Sequence, residues 1–185
     1  MKIHIFGASG SGVTTTGEAL SEKLNVQYLD SDAYFWELTE PPFTVRRNPD
    51  ERNFKIKSDL ENLDNWILGG SVFQWGENVF PDFDLVIYLW IPSEIRIERL
   101  KKREFERYGN IIYTQPERIK QFEDFMTWAS DYDNNTGIAS RNFEAHENWM
   151  KTIKYPILKI SGDLTLDERI ELIIEKIQLE KLRIF

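Results

Sequence analysis

The stretch Gly7-Ala8-Ser9-Gly10-Ser11-Gly12-Val13-Thr14-Thr15 constrains the fold most, because it joins the apolar run Ile3 to Phe6 to a helix-like segment from Thr14 to Leu24. A glycine-rich turn between a strand and a helix lets successive backbone N–H groups curl around phosphate oxygens, helped by the positive end of the helix. Gly7, Gly12 and Thr14 keep the register of the phosphate-loop pattern G-x-x-x-x-G-K-[ST], and Val13 stands where that pattern has lysine. The lysine is the point charge set against the transferred phosphate, so the loop announces nucleotide binding more strongly than phosphoryl transfer. The dinucleotide pattern G-x-G-x-x-G fails, since the glycines fall at positions 7, 10 and 12. Candidate nucleotide-binding residues in the loop are Gly7, Ser9, Gly10, Ser11, Gly12, Val13, Thr14 and Thr15.

A chain of 185 residues is long enough for one well-packed domain and short for two. Its net charge of -8 opposes nonspecific binding to nucleic acid or to an anionic membrane, so any phosphate site must be local. Cysteine is absent, which excludes disulfides and thiolate chemistry, and His4 and His146 alone cannot make a structural zinc site. The N-terminal apolar run is too short for a signal peptide, and the run Leu85 to Ile91 is far below a membrane span. The expectation is a cytoplasmic protein, in a compartment that supplies ATP or GTP.

Val26 to Leu29 reads as a second strand that delivers Asp30-Ser31-Asp32. Side chains two apart on an extended segment point the same way, so Asp30 and Asp32 can face one pocket, one towards Mg2+ or its waters and the other towards a substrate hydroxyl. Asp32 or Ser31 also suits the N-cap of a helix beginning near Ala33. The segment from about 38 to 63, with Pro41, Pro42 and Pro49 ahead of a helix, is a possible acceptor-binding insert; Arg46, Arg47 and Arg52 are its candidate clamps. Asn65 to Leu68 reads as a strand running into Gly69-Gly70-Ser71, where missing side chains would admit a substrate close to the backbone. With glycine at position 69, the metal falls to Thr14 and Asp30.

Asp84 to Trp90 has the near-continuous apolar character of a strand buried in a parallel sheet. The helix after Pro92 carries Arg96, Arg99, Arg103 and Arg107 along one stripe, which needs facing anions; Arg99 and Arg103 are the candidates for a nucleotide phosphate. The region from about 107 to 150 reads as a possible lid, with helices predicted over Gln115 to Trp128 and Arg141 to Trp149 and a polar stretch over Ser130 to Asn135. Arg118 and Arg141 would close on the nucleotide, while His146, with no identifiable partner, reads as a packed or surface residue rather than a catalytic one. Pro156 to Ile160 is the last strand, followed by a helix whose Ile170, Ile173, Ile174 and Ile177 mark a core stripe. Five strand candidates alternating with helices predict an α/β fold with a parallel sheet and the ligand at the carboxyl ends of the strands.

With these motifs placed, the chain resembles the P-loop small-molecule kinases of the adenylate kinase, shikimate kinase and gluconate kinase group. The resemblance rests on Gly7 to Thr15, Tyr28-Leu29-Asp30-Ser31-Asp32, Gly69-Gly70-Ser71 and the helix with Arg99-Leu100-Lys101-Lys102-Arg103, which occur in the order seen in shikimate kinases. It covers most of residues 1 to 106 and the final strand and helix, and covers 108 to 150 poorly. More closely, the loop resembles that of bacterial adenylate-kinase-like proteins lacking the P-loop lysine. The resemblance implies a three-layer P-loop NTPase fold with a five-stranded parallel sheet and a helical lid insertion. It further implies Mg2+ held by Thr14 and supported by Asp30, an α-phosphate contact from Thr15, an acceptor hydroxyl met by Asp32, and a lid arginine at Arg103 or a neighbour.

Two classes of function follow. The first is an ATP-dependent kinase for a small hydroxyl or phosphate acceptor, with Asp32, Arg99 and Arg103 catalytic, Arg107 and Arg141 on the nucleotide, and Arg46, Arg52, Gly69, Gly70 and Ser71 on the acceptor with Asp32. The second is a nucleotide-binding module with little or no catalysis, because of Val13. A GTPase switch is disfavoured, since the chain lacks an N-K-x-D motif.

Overall fold

The computed structural model describes residues 1–76 and 78–183, with side chains described up to 180. The chain starts β1 (Lys2–Gly7), α1 (Val13–Leu24), β2 (Gln27–Asp30), α2 (Ser31–Phe35), α3 (Pro49–Glu61), β3 (Trp66–Gly69) and β4 (Leu85–Trp90). It continues α4 (Ser93–Tyr108), α5 (Ile111–Thr114), α6 (Pro116–Asn134), α7 (Phe143–Thr152), β5 (Ile157–Ser161) and α8 (Leu166–Arg183). The five strands form one all-parallel sheet in the order β2-β3-β1-β4-β5, the α/β arrangement expected from the alternation of elements.

Period-two alternation assigns each strand residue to one of two cores. Ile3, Ile5, Leu85, Ile87 and Leu89 face the side covered by α1 and α8, where they meet Leu20, Ile170, Ile173 and Ile177. Phe6, Val86 and Tyr88 face the other side with Trp66, Leu68, Ile56 and Leu60, and Met150 of α7 joins them. Helices on both faces bury the interiors of β1 and β4, which is why these two strands read as near-continuous apolar runs.

Several boundaries differ from the sequence reading, each for a local reason. α7 starts at Phe143 and not at Arg141 because Asn142 caps it, accepting a 2.8 Å bond from the Ala145 N–H. The polar stretch Ser130 to Asn135 lies almost wholly inside α6, because Asp131 turns inward as a loop anchor. It accepts bonds from the N–H groups of Thr136, Ile138 and Ala139 and from the Thr136 hydroxyl, at 2.6–2.9 Å. Led by the Thr136 hydroxyl, these donors hold the Asp131 carboxyl down at about 2.

The region from 107 to 150 is not all peripheral cover. Tyr132 of α6 bonds the Tyr88 hydroxyl at 2.8 Å, and His146 and Met150 of α7 are buried against β1 and β4, so this half is part of the sheet packing. Likewise, within the insert from 38 to 63, α3 contributes Ile56 and Leu60 to the core. The loop before α3 is pinned by an antiparallel bridge between Trp36 and Arg46.

Candidate active site

The elements converge on one cleft of about 970 Å³ at the carboxyl ends of the strands, a size that suits a nucleotide with a small second substrate. Its floor is the loop from Gly7 to Thr15. Gly12 caps α1 with φ 87°, a left-handed conformation that glycine adopts without strain. The first helical N–H groups that follow have no intrahelical acceptor and form a natural anion cradle. Ser11 turns away: its side chain is buried, so of the predicted loop contacts this one is through backbone alone.

Thr14 and Asp30 meet at the mouth of the loop, where the Thr14 hydroxyl donates to Asp30 Oδ2 at 3.2 Å. A hydroxyl and a carboxylate are hard oxygen donors suited to Mg2+, which keeps waters and takes phosphate oxygens as its remaining ligands. Among the described residues no group of three or more His, Asp or Glu side chains could hold a metal. Asp30 also caps α2, since its Oδ1 accepts the Asp32 N–H at 2.9 Å, so the capping role falls to Asp30 and not to Asp32 or Ser31.

Released from capping, Asp32 opens onto the cleft. Its carboxyl is exposed to the cleft, where partial desolvation by the cleft walls, first, and the neighbouring Asp30 charge, second, raise its pKa above the usual carboxylate range. Arg141, Arg103 and Arg107 oppose the rise, which places their guanidinium charges around the same space. Arg141 bridges to the Ser71 carbonyl at 3.4 Å.

The arginine stripe on α4 divides. Arg99, Arg103 and Arg107 line the cleft, with Arg99 paired to Asp163, while Glu104 serves both Arg103 at 3.3 Å and Arg107 at 3.7 Å. Arg96 is fully buried beneath the loop, donating to the Ser9 carbonyl at 3.1 Å and the Ile91 carbonyl at 3.2 Å and pairing with Asp133. It is therefore a strut of the loop rather than a phosphate contact. The anions facing the stripe come half from other elements, Asp133 for Arg96 and Asp163 for Arg99, and half from Glu104 on α4 itself.

The expected acceptor clamps lie elsewhere. Arg46 stacks near Phe35 and Trp36, Arg47 pairs with Glu37 at 3.2 Å, and Arg52 lies 4.0 Å from the Trp75 ring centre; none of the three lines the cleft. A planar guanidinium gains from an aromatic face, and Phe35 and Trp36 before the insert and Trp75 after β3 supply such faces. In their place Trp36, at the end of α2, joins Pro42 and Phe43 of the insert as an apolar wall, with Arg107 4.6 Å from the Phe43 ring centre. Arg118 likewise stacks on Tyr108 at 3.8 Å, outside the cleft lining.

Gly69 and Gly70 also serve a different purpose from the expected one. A Cβ on Gly69 would collide with the Tyr28 hydroxyl and one on Gly70 with Ser31 Oγ, so the space they leave is taken by the protein's own β2 and α2. Gly70 and Ser71 still border the cleft, whereas Gly69 does not line it.

Two site residues escaped the sequence reading. His146 has partners after all: its Nε2 lies 2.9 Å from Ser71 Oγ and its Nδ1 2.9 Å from the Tyr132 hydroxyl. Nothing local in the sequence announces that contact. Arg169, on the first turn of α8, lines the cleft and donates from Nη1 to the Ser11 carbonyl at 3.3 Å. A signal existed for it, since Thr165 and Glu168 form a reciprocal capping box that marks the helix start beside the end of β5.

A family model described as AAA domain matches residues 3–120. The uncharacterized protein YqaC of Bacillus subtilis is 43% identical over 173 residues, covering 94% of this chain and 95% of that protein. A cytidylate kinase of Methanobrevibacter smithii is 30% identical over 118 residues, covering 56% of this chain and 64% of the kinase. Among solved structures, shikimate kinase from Aquifex aeolicus superposes with a TM-score of 0.55 at 19% identity, covering 98% of this chain and 99% of that one. The fold is that of the P-loop kinases, with its five parallel strands in place. No described helix is long and apolar enough to cross a membrane.

Proposed function

This chain belongs to the AAA domain family of P-loop kinase-like proteins, and we propose that within it the chain transfers the terminal phosphoryl group of ATP to a hydroxyl of a small-molecule acceptor. The observation that carries this reading is Asp32: a carboxylate with a raised pKa, free of capping duty, facing the phosphate loop inside a cleft ringed by Arg103, Arg107 and Arg141.

The loop amides and Thr15 hold the triphosphate, and Thr14 with Asp30 holds the Mg2+, which neutralises phosphate charge when bound. Asp32 accepts the proton of the acceptor hydroxyl as its oxygen bonds to the γ-phosphorus and the bond to the leaving ADP oxygen breaks. A raised carboxyl pKa makes Asp32 a stronger base towards the acceptor's proton. Arg103, Arg107 and Arg141 stabilise the charge on the transferring group, a role positively charged side chains fill in such reactions. The wall of Trp36, Pro42 and Phe43 shields this space from water and gives the acceptor an apolar surface.

ADP release measured with ATP and magnesium over nucleosides, nucleoside monophosphates and hydroxylated metabolites tests the reading. Acceptor-dependent turnover names the substrate class, and its absence across the panel with ATP still bound would overturn it. A second reading, nucleotide binding with little or no catalysis, is favoured by one specific observation, Val13 in the lysine position, and it predicts that latter outcome.

A further inference from the structure

We propose that Arg169, delivered by the last helix, supplies the phosphate-facing positive charge that the loop's own sequence lacks at Val13. The proposal rests on the nucleotide-binding reading above and identifies a residue that the loop motif does not contain.

Arg169 is 5% exposed, yet its guanidinium reaches the lip of the loop: Nη1 donates to the Ser11 carbonyl at 3.3 Å, and a Cβ placed on Gly12 would lie 2.6 Å from the same nitrogen. Glycine at position 12 thus leaves room for this cation, and Val13 is its immediate neighbour. The position is built, not incidental. The capping box of Thr165 and Glu168 fixes the start of α8, and Ile170, Ile173 and Ile177 hold the helix in the core beside Leu20 of α1.

The charge has no anion of its own. Among the described residues no carboxylate is in ion-pair contact with Arg169, and Asp163, the acid whose field reaches it, is paired with Arg99. Burial and the Arg99 charge both disfavour its charged form, the first more than the second. A buried guanidinium without a counter-charge is costly, and such a group is retained where an anion is to be bound. The anion that fits a cleft floored by loop amides is a polyphosphate. In the usual motif a lysine next to the second conserved glycine reaches those oxygens; here an arginine enters from across the loop to the same neighbourhood.

The test is a charge transplant read by ATP affinity in titration calorimetry, with the melting temperature of the unliganded protein as a check on folding. Arg169→Met is expected to weaken ATP binding at least tenfold, Arg169→Lys to weaken it less, and the double variant Val13→Lys, Arg169→Met to recover most of the loss. Val13→Lys in the natural background is expected to gain less than threefold, because the charge is already present. Unchanged affinity in Arg169→Met, no recovery in the double variant, or a tenfold gain from Val13→Lys alone would each overturn the proposal. Where Arg169→Met does not fold, Arg169→Lys and the single Val13→Lys variant decide. A natural protein that binds no ATP would instead sink the nucleotide reading itself, a result distinct from natural binding that Arg169→Met leaves intact.

Discussion

His146 on α7 hydrogen-bonds Ser71, the residue just after β3 and Gly70, at 2.9 Å, and so ties the helical region between β4 and β5 to the lining of the cleft. The contact continues a buried chain through Tyr132 and Tyr88, at 2.9 Å and 2.8 Å. Burial, the largest cause, and the nearby Arg141 charge push the His146 pKa down to about 3, so its ring is neutral and donates one N–H along this chain.

Acid should therefore unlock the fold. His4, buried between Phe6 and Phe83 and bonded to the Gly70 carbonyl at 2.9 Å, is also pushed down, to about 4. Both folded values lie below the unfolded value near 6.5, so the unfolded chain binds more protons in that window, and stability is intact above about 6.5 and lost as pH falls. The loss is on the order of 3 kcal/mol for each ring by pH 4. Denaturant melts at pH 7 and pH 4 should show it, with a shallower loss in His146→Gln; equal slopes would contradict the assignment.

Asp32→Asn should separate activity from stability. Turnover is expected to fall by about a hundredfold or more with the loss of a general base. The raised pKa of Asp32 means that the folded protein binds more protons than the unfolded chain just above the ordinary carboxylate range. Stability due to this group thus falls as pH rises through that window, and the amide removes that cost. Melting temperature should rise at pH 7; a fall together with intact turnover would sink the base assignment.

Arg103→Met and Arg141→Met should each lower the rate of phosphoryl transfer by about a hundredfold, the scale of one lost stabilising donor. Arg46→Met and Arg47→Met, outside the cleft lining, should leave ATP turnover within about twofold. Rate measurements at saturating ATP compare the two pairs directly.

Arg96→Met should act on the loop without touching a ligand. It strips the Ser9 carbonyl of a donor and leaves Asp133 without its ion-pair partner, at a cost of about 3–5 kcal/mol. Chemical denaturation should register the loss, and nucleotide affinity should fall with it as the loop loosens. An unchanged midpoint would show that the buried pair adds nothing.

The sequence by itself determined what is local. The near-continuous apolar runs Ile3 to Phe6 and Leu85 to Trp90 fixed strands covered on both faces, and the spacing of Gly7, Gly12 and Thr14 fixed the succession of strand, loop and helix. These features survive because periodicity and glycine geometry act over a few residues. Tertiary structure decided which charges reach the cleft. Arg46 and Arg52 were drawn away onto aromatic faces, Arg96 was buried while Arg99 and Arg103 on the same stripe stayed open, and Ser71 met His146 from 75 positions away. Arg169 reached Ser11 across 158 positions. Where a long side chain ends depends on how helices pack over a sheet and on which ring or carbonyl lies within its reach, and neither is written in the spacing of a single segment.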